Sequence, residues 1–108
     1  MKPYKDRRMS DICIIREFNE NVNQDDLVWH RDKCKRTIIV MEGEGWSFQR
    51  DNELPISIKT GTVIDIEKNE FHRLHKGHTK LKLKILESSD KVALLKTINR
   101  TRTSILEF

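Results

Sequence analysis

Two histidines and one aspartate in this chain have the types and spacing of a mononuclear metal site. His30 and Asp32 lie two apart in a segment that reads as extended, so both side chains point the same way. Arg36 follows four residues after Asp32, and His72 falls on a later extended run, eleven residues after Gly61. A pair at i and i+2 plus a third ligand from a neighbouring strand can converge inside a barrel on one ion. Two histidines and one carboxylate suit non-haem iron or manganese, with nickel and zinc also compatible with imidazole. The same residues support a second reading without metal. Arg36 then neutralises Asp32, and a guanidinium plus two imidazoles faces an anionic or polyhydroxy ligand. A buried cation beside a divalent ion is costly, which sets these two readings against each other. A third reading is an Asp32–Arg36 pair that only organises a strand.

The elements that must position these residues are mostly strands, because apolar residues alternate with a period of two. Strands are expected over 11–18, a short extended piece over 27–32, and further strands over 36–41, 46–50, 56–59, 62–67, 71–75 and 81–86. Leu81, Leu83 and Ile85 alternate with Lys80, Lys82 and Lys84, the clearest pattern in the chain. Gly43 and Gly45 mark one tight turn and Gly61 another. Ser88 and Ser89 are candidate caps for a helix over 90–99, with Val92, Leu95 and Ile98 as its buried stripe. Many short strands at close spacing with almost no helix point to an all-β sandwich or barrel. A small jelly-roll barrel over about 11–88, followed by a short C-terminal helix, fits best.

The composition agrees. With 108 residues the chain suits one domain, 1–108. Charged residues are 35% and hydrophobic ones 36%, so the core must be thin and each element can bury only one face. Lys plus Arg is 21 against 17 Asp plus Glu, and this net +4 is too mild and dispersed to argue for a polyanionic partner. No apolar run approaches the roughly 20 residues of a membrane helix, and the first eight residues carry no apolar leader. Cys13 and Cys34 form no CxxC pair, which excludes a zinc knuckle and a disulfide scaffold. A reduced, cytoplasmic domain is the expectation.

Residues 30–45, running from His30 through Asp32, Arg36 and Glu42 to Gly45, resemble the first cupin motif: Gly, then His-x-His, a Glu and a closing Gly. Residues 61–76, from Gly61 through Asn69 and His72 to Lys76, resemble the second, with Gly, Pro-x-Gly, His and Asn. The resemblance covers about 27–86, and the His72-Arg73-Leu74 run is similar to the cupin domain of type II phosphomannose isomerases. It implies a cupin-type double-stranded β-helix. His30 matches the first family histidine and His72 the third. Asp32 stands where the second histidine would be, and Arg36 where the ligating glutamate would be. Glu67 and Asn69 replace the usual Pro and Gly, and Lys76 the Asn; Asn69 can still adopt a left-handed turn.

The expected function is binding of a small polar or anionic metabolite, sugar or sugar-phosphate like, in the barrel, with a divalent metal and isomerase-like activity in the enzymatic version. There His30 and His72 hold the metal or serve as acid and base, Arg36 orients an anionic group, and Trp46 and Phe48 line the pocket mouth or stack on a sugar, though on a hairpin aromatics are more often core or dimer contact. In the other version the domain is a metal-free ligand-binding or sensor module. A homodimer is expected from the family resemblance and the apolar hairpin. Cys34, beside Lys33, Lys35 and Arg36, is expected to have a lowered thiol pKa. The Lys80, Lys82, Lys84 row reads as a solvent face guarding an exposed strand. Nucleic-acid binding is the third class, suggested by the basic rows and disfavoured by an aromatic content of 6%.

Overall fold

The computed structural model describes residues 2–88 and is built almost entirely of antiparallel strands. These are β1 (Tyr4–Arg8), β2 (Cys13–Phe18), β3 (Lys35–Glu42), β4 (Ser47–Arg50), β5 (Ile56–Ser57), β6 (Val63–Ile66), β7 (His72–His75) and β8 (Leu81–Ser88), with one 3₁₀ turn at Gln24–Asp26. A five-stranded sheet, in the order β1-β2-β8-β3-β6, faces a three-stranded sheet, β5-β4-β7. His30 adds a further backbone rung beside β7 through an antiparallel bridge to His72.

The alternation seen in the sequence becomes the inner face of the larger sheet. Ile14 pairs with Ile85, and Ile85 with Ile38; Ile38 in turn pairs with Ile64, so one row of isoleucines crosses four strands. Trp46, Leu81, Ile85 and Val40 are the most completely buried side chains. Trp46 is fixed by its indole N–H, which donates to Thr79 O at 2.8 Å. Gly77 is where another residue would not fit: a Cβ there would collide with Trp46 and the Glu44 carbonyl. Asn69 takes the left-handed conformation, with φ 62, at the turn into β7.

Several boundaries differ from expectation. β1 has no apolar alternation, yet it pairs with β2 along its whole length because Asp6 and Tyr4 both engage Arg16. Over 27–32 only His30 joins the sheet ladder, and the 56–59 strand shortens to Ile56–Ser57. β8 runs past 86 to Ser88, since its last residues still pair with Lys35 and Arg36. Ser88 is therefore a strand residue, and the expected helix over 90–99 lies outside the described residues. β8 is also interior to its sheet, between β2 and β3, so its lysine row guards no edge. No helix among the described residues is long and apolar enough to cross a membrane.

Candidate functional site

Backbone pairing brings the two histidines together. His30 N donates to His72 O at 3.1 Å, and His72 N to His30 O at 2.9 Å. The rings stand edge to face with centroids 4.2 Å apart. Asp32 enters from the loop before β3, where its carbonyl accepts from Asn69 N at 2.8 Å. The left-handed turn at Asn69 thus holds the aspartate in place. His72 is buried, Asp32 half-buried and His30 exposed, and one donor atom from each lies within 4.8 Å of the others.

The ring nitrogens are already assigned by their neighbours. His30 Nδ1 lies 3.1 Å from Val28 O, and His72 Nδ1 lies 2.8 Å from Glu70 O. A carbonyl can only accept, so each Nδ1 carries the proton and donates. In the neutral rings both Nε2 atoms keep a free lone pair, the tautomer that metal-binding histidines adopt when the other nitrogen is held by a carbonyl. His72 Nε2 is 3.4 Å from Asp32 Oδ2. That oxygen is buried and accepts no hydrogen bond. The His72 Nε2 and the unpartnered carboxylate oxygen, with a ring nitrogen of His30 nearby, form a donor set suited to a cation.

The other carboxylate oxygen is occupied. Arg36 Nη1 lies 3.1 Å from Asp32 Oδ1, while its Nε and Nη2 donate to Glu87 Oε2 at 3.2 and 2.8 Å. Arg8 Nη2 reaches Glu87 Oε1 at 3.1 Å. Charges therefore alternate along a row from Arg8 through Glu87 and Arg36 to Asp32. Burial pushes the Asp32 carboxyl up, but a proton placed on His72 Nε2 and the Arg36 charge both favour the carboxylate and hold it below its usual value. Glu87 is likewise lowered, with Arg36 and Arg8 overriding burial. Desolvation by the cavity walls, aided by His72, lowers the His30 imidazole against the opposing Val28 bond. Asp32 is thus ionised and His30 neutral near pH 7, as metal ligands must be.

The site opens on a cavity of about 440 Å³ between the two sheets. Phe18, Ile38, Phe48, Ile64, Leu83 and Ile85 make up much of its wall, with the His30, Asp32, Arg36 and His72 cluster at one end. Phe48 is 5.7 Å from the His72 ring, centroid to centroid. Trp46, in contrast, does not reach the cavity and is fully enclosed in the core. Cys34 departs from expectation: burial and the Glu87 carboxylate 3.8 Å away raise its thiol pKa rather than lower it, because Glu87 offsets Arg36.

Two residues of the site were not anticipated. Glu87 pairs in register with Arg36 and continues the inward parity of Leu81, Leu83 and Ile85. Arg16 shares the inward parity of Ile14 and Phe18, is buried in the cavity wall, and bonds Asp6 at 2.8 and 2.9 Å while its guanidinium lies 3.6 Å from the Tyr4 ring centroid. A charged residue on an apolar parity was the signal available in both cases.

No protein-family model matches the sequence, and no curated protein matches it. Solved structures do. An RmlC-like cupin family protein with a double-stranded β-helix fold from Methanocaldococcus jannaschii superposes with a TM-score of 0.62 at 13% identity, over 82% of this chain and 80% of that one. The DMSP lyase DddQ from Ruegeria pomeroyi gives 0.64 at 13%, over 75% of this chain and 40% of that one. Cobalt(II) HppE in complex with Tris gives 0.63 at 18%, over 82% and 55%. The chain thus spans well under two thirds of the length of DddQ and HppE. At these identities the likeness establishes the fold: this chain has the cupin-type double-stranded β-helix.

Proposed function

We propose that the protein is a cupin-fold metal-binding domain in which His30, Asp32 and His72 hold a divalent ion at the end of a small-molecule cavity. The observation that carries this reading is the buried, unpartnered Asp32 Oδ2 facing the His72 Nε2, with one ring nitrogen of His30 within 4.8 Å of the set. The donor set suits iron or manganese, with nickel and zinc next. When bound, such an ion supplies a Lewis-acidic anchor for an oxygen of the ligand. The likeness in fold to HppE, a protein crystallised with cobalt(II), supports the choice of a transition metal. Glu87 removes the objection posed by Arg36, because it engages the guanidinium through two donors and leaves Asp32 Oδ2 free. The chain's own residues position rather than transform: the Val28 and Glu70 carbonyls set the imidazole tautomers, Arg36 holds Asp32, and Phe48 packs beside His72.

The Arg36–Asp32 contact favours a second reading, a metal-free ligand-binding or sensor domain in which a proton shared by His72 and Asp32 fills the gap. Elemental analysis separates the two. Protein purified without added metal, then dialysed against iron(II), manganese, nickel or zinc, is expected to retain about one ion per chain. His72→Gln and Asp32→Asn are expected to retain none while keeping the wild-type circular dichroism. Failure of the wild-type protein to retain any of these metals overturns the first reading and leaves the second.

A further inference from the structure

The cavity itself restricts what can be bound. Its walls come from inward rows of both sheets and are hydrocarbon along most of their length, with Ile38, Ile58, Ile64, Ile66, Leu83 and Ile85 among them. Its polar groups are the His30, Asp32, Arg36 and His72 cluster, the Asp6-bound Arg16 with Tyr4 beside it, and the exposed Lys2 and Asp26. A sugar needs partners for hydroxyls all around its ring, and buried hydroxyls without partners are costly. A phosphate dianion needs cations that are not already committed. Both guanidiniums in the lining are committed: Arg16 gives Nε and Nη2 to the two oxygens of Asp6, and Arg36 is divided between Asp32 and Glu87. Lys2 lies at the exposed rim, over the Tyr4 ring.

Charge at the polar end sets the head group. Asp32 is the one carboxylate of the donor set, and Arg36, Glu87 and Arg8 form the charged row behind it. A divalent ion held by that single carboxylate leaves positive charge to be met by an anionic head group.

From these observations, and resting on the metal site proposed above, we infer that the ligand is a small monocarboxylate with a hydrocarbon body, its head at His30, Asp32 and His72 and its body between the sheets. The volume, about 440 Å³, lies at the lower end of ordinary ligand sites. A sugar phosphate fits this lining less well by the same reasoning.

The test uses the full chain loaded with zinc, which is diamagnetic, titrated with acetate, butanoate, hexanoate and 3-phenylpropanoate and followed by amide chemical shifts. Affinity is expected to rise roughly threefold to fourfold with each added methylene, with shifts at Ile38, Ile64 and Leu83. Mannose 6-phosphate is expected to bind at least tenfold more weakly than hexanoate. The metal-free protein is titrated in parallel. Should the metal site fail, zinc is not retained, yet the dependence on methylene count persists in the metal-free protein. Should the ligand class be wrong, zinc is retained and the series is flat, or mannose 6-phosphate binds as tightly as hexanoate; either result overturns the inference.

Discussion

Replacing Arg36 with methionine should weaken the fold and tighten the metal site at once. In the folded protein the guanidinium sits between Asp32 and Glu87, with side-chain exposures of 14%, 12% and 20%. Removing the cation leaves two partly buried carboxylates facing each other across a methionine. Stripping one partner from a fully buried pair costs about 3–5 kcal/mol. Here some water still reaches both acids, and Glu87 retains Arg8. A loss of about 2 kcal/mol in metal-free unfolding free energy follows. Metal binding moves the other way. At an effective dielectric of about 20, a divalent ion about 6 Å from a guanidinium meets about 5–6 kcal/mol of repulsion. Glu87 already cancels much of that field, so a net relief of about 1.4 kcal/mol, tenfold in affinity, is expected from Arg36→Met. Urea unfolding of the metal-free protein measures the first effect, and zinc competition against a chromophoric chelator at pH 7 the second. A folded Arg36→Met protein that binds zinc no more tightly than wild type refutes the reasoning, because the hold of Arg36 on Asp32 would then outweigh the repulsion from its charge.

Three further outcomes follow from the same contacts. Asp6→Asn should cost about 1–2 kcal/mol by stranding Arg16 in the cavity wall, while Arg16→Met combined with it should recover at least half, measured as a double-mutant cycle in urea. Asp6 and Glu87 both titrate below their usual values of 3.8 and 4.5, so the native state binds fewer protons there. Their stabilisation is complete above those values and is lost as pH falls below about 4 through the lowered pKa values; urea midpoints between pH 2 and 6 should fall accordingly, with a smaller fall for Glu87→Gln. Gly77→Ala should destabilise by several kcal/mol, since its methyl meets Trp46 and backbone, whereas Gly61→Ala, in open space at φ 92, should cost only about 1 kcal/mol; thermal melts distinguish the two.

Much of this molecule is written in local pattern. Leu81, Leu83 and Ile85 take the inner face because a strand alternates with period two, and that needs no knowledge of the partner strand. A separate local property, the tolerance of asparagine for positive φ, made Asn69 a permissible left-handed turn, which the structure shows at φ 62. The pattern failed where partners are distant. β1 carries a nearly all-polar sequence, Tyr-Lys-Asp-Arg-Arg, and becomes a strand only because β2 offers a free edge and Arg16 an ion-pair and stacking partner. Trp46 and Phe48 share a parity, yet only Phe48 reaches the cavity, a matter of depth along the sheet that alternation does not encode.

By itself the sequence determined the all-β architecture, the inward rows and the identity of two imidazoles and a carboxylate as the groups with chemistry to offer. Only the tertiary structure decided the state of those groups. The Val28 and Glu70 carbonyls select the tautomers, Glu87 draws Arg36 aside by pairing with it across β3 and β8, and Asp32 Oδ2 is left buried without a donor. The reason is physical. Side-chain direction is a property of a few consecutive residues, whereas protonation, charge balance and the filling of a cavity depend on atoms that meet only when strands 51 residues apart in the chain lie side by side.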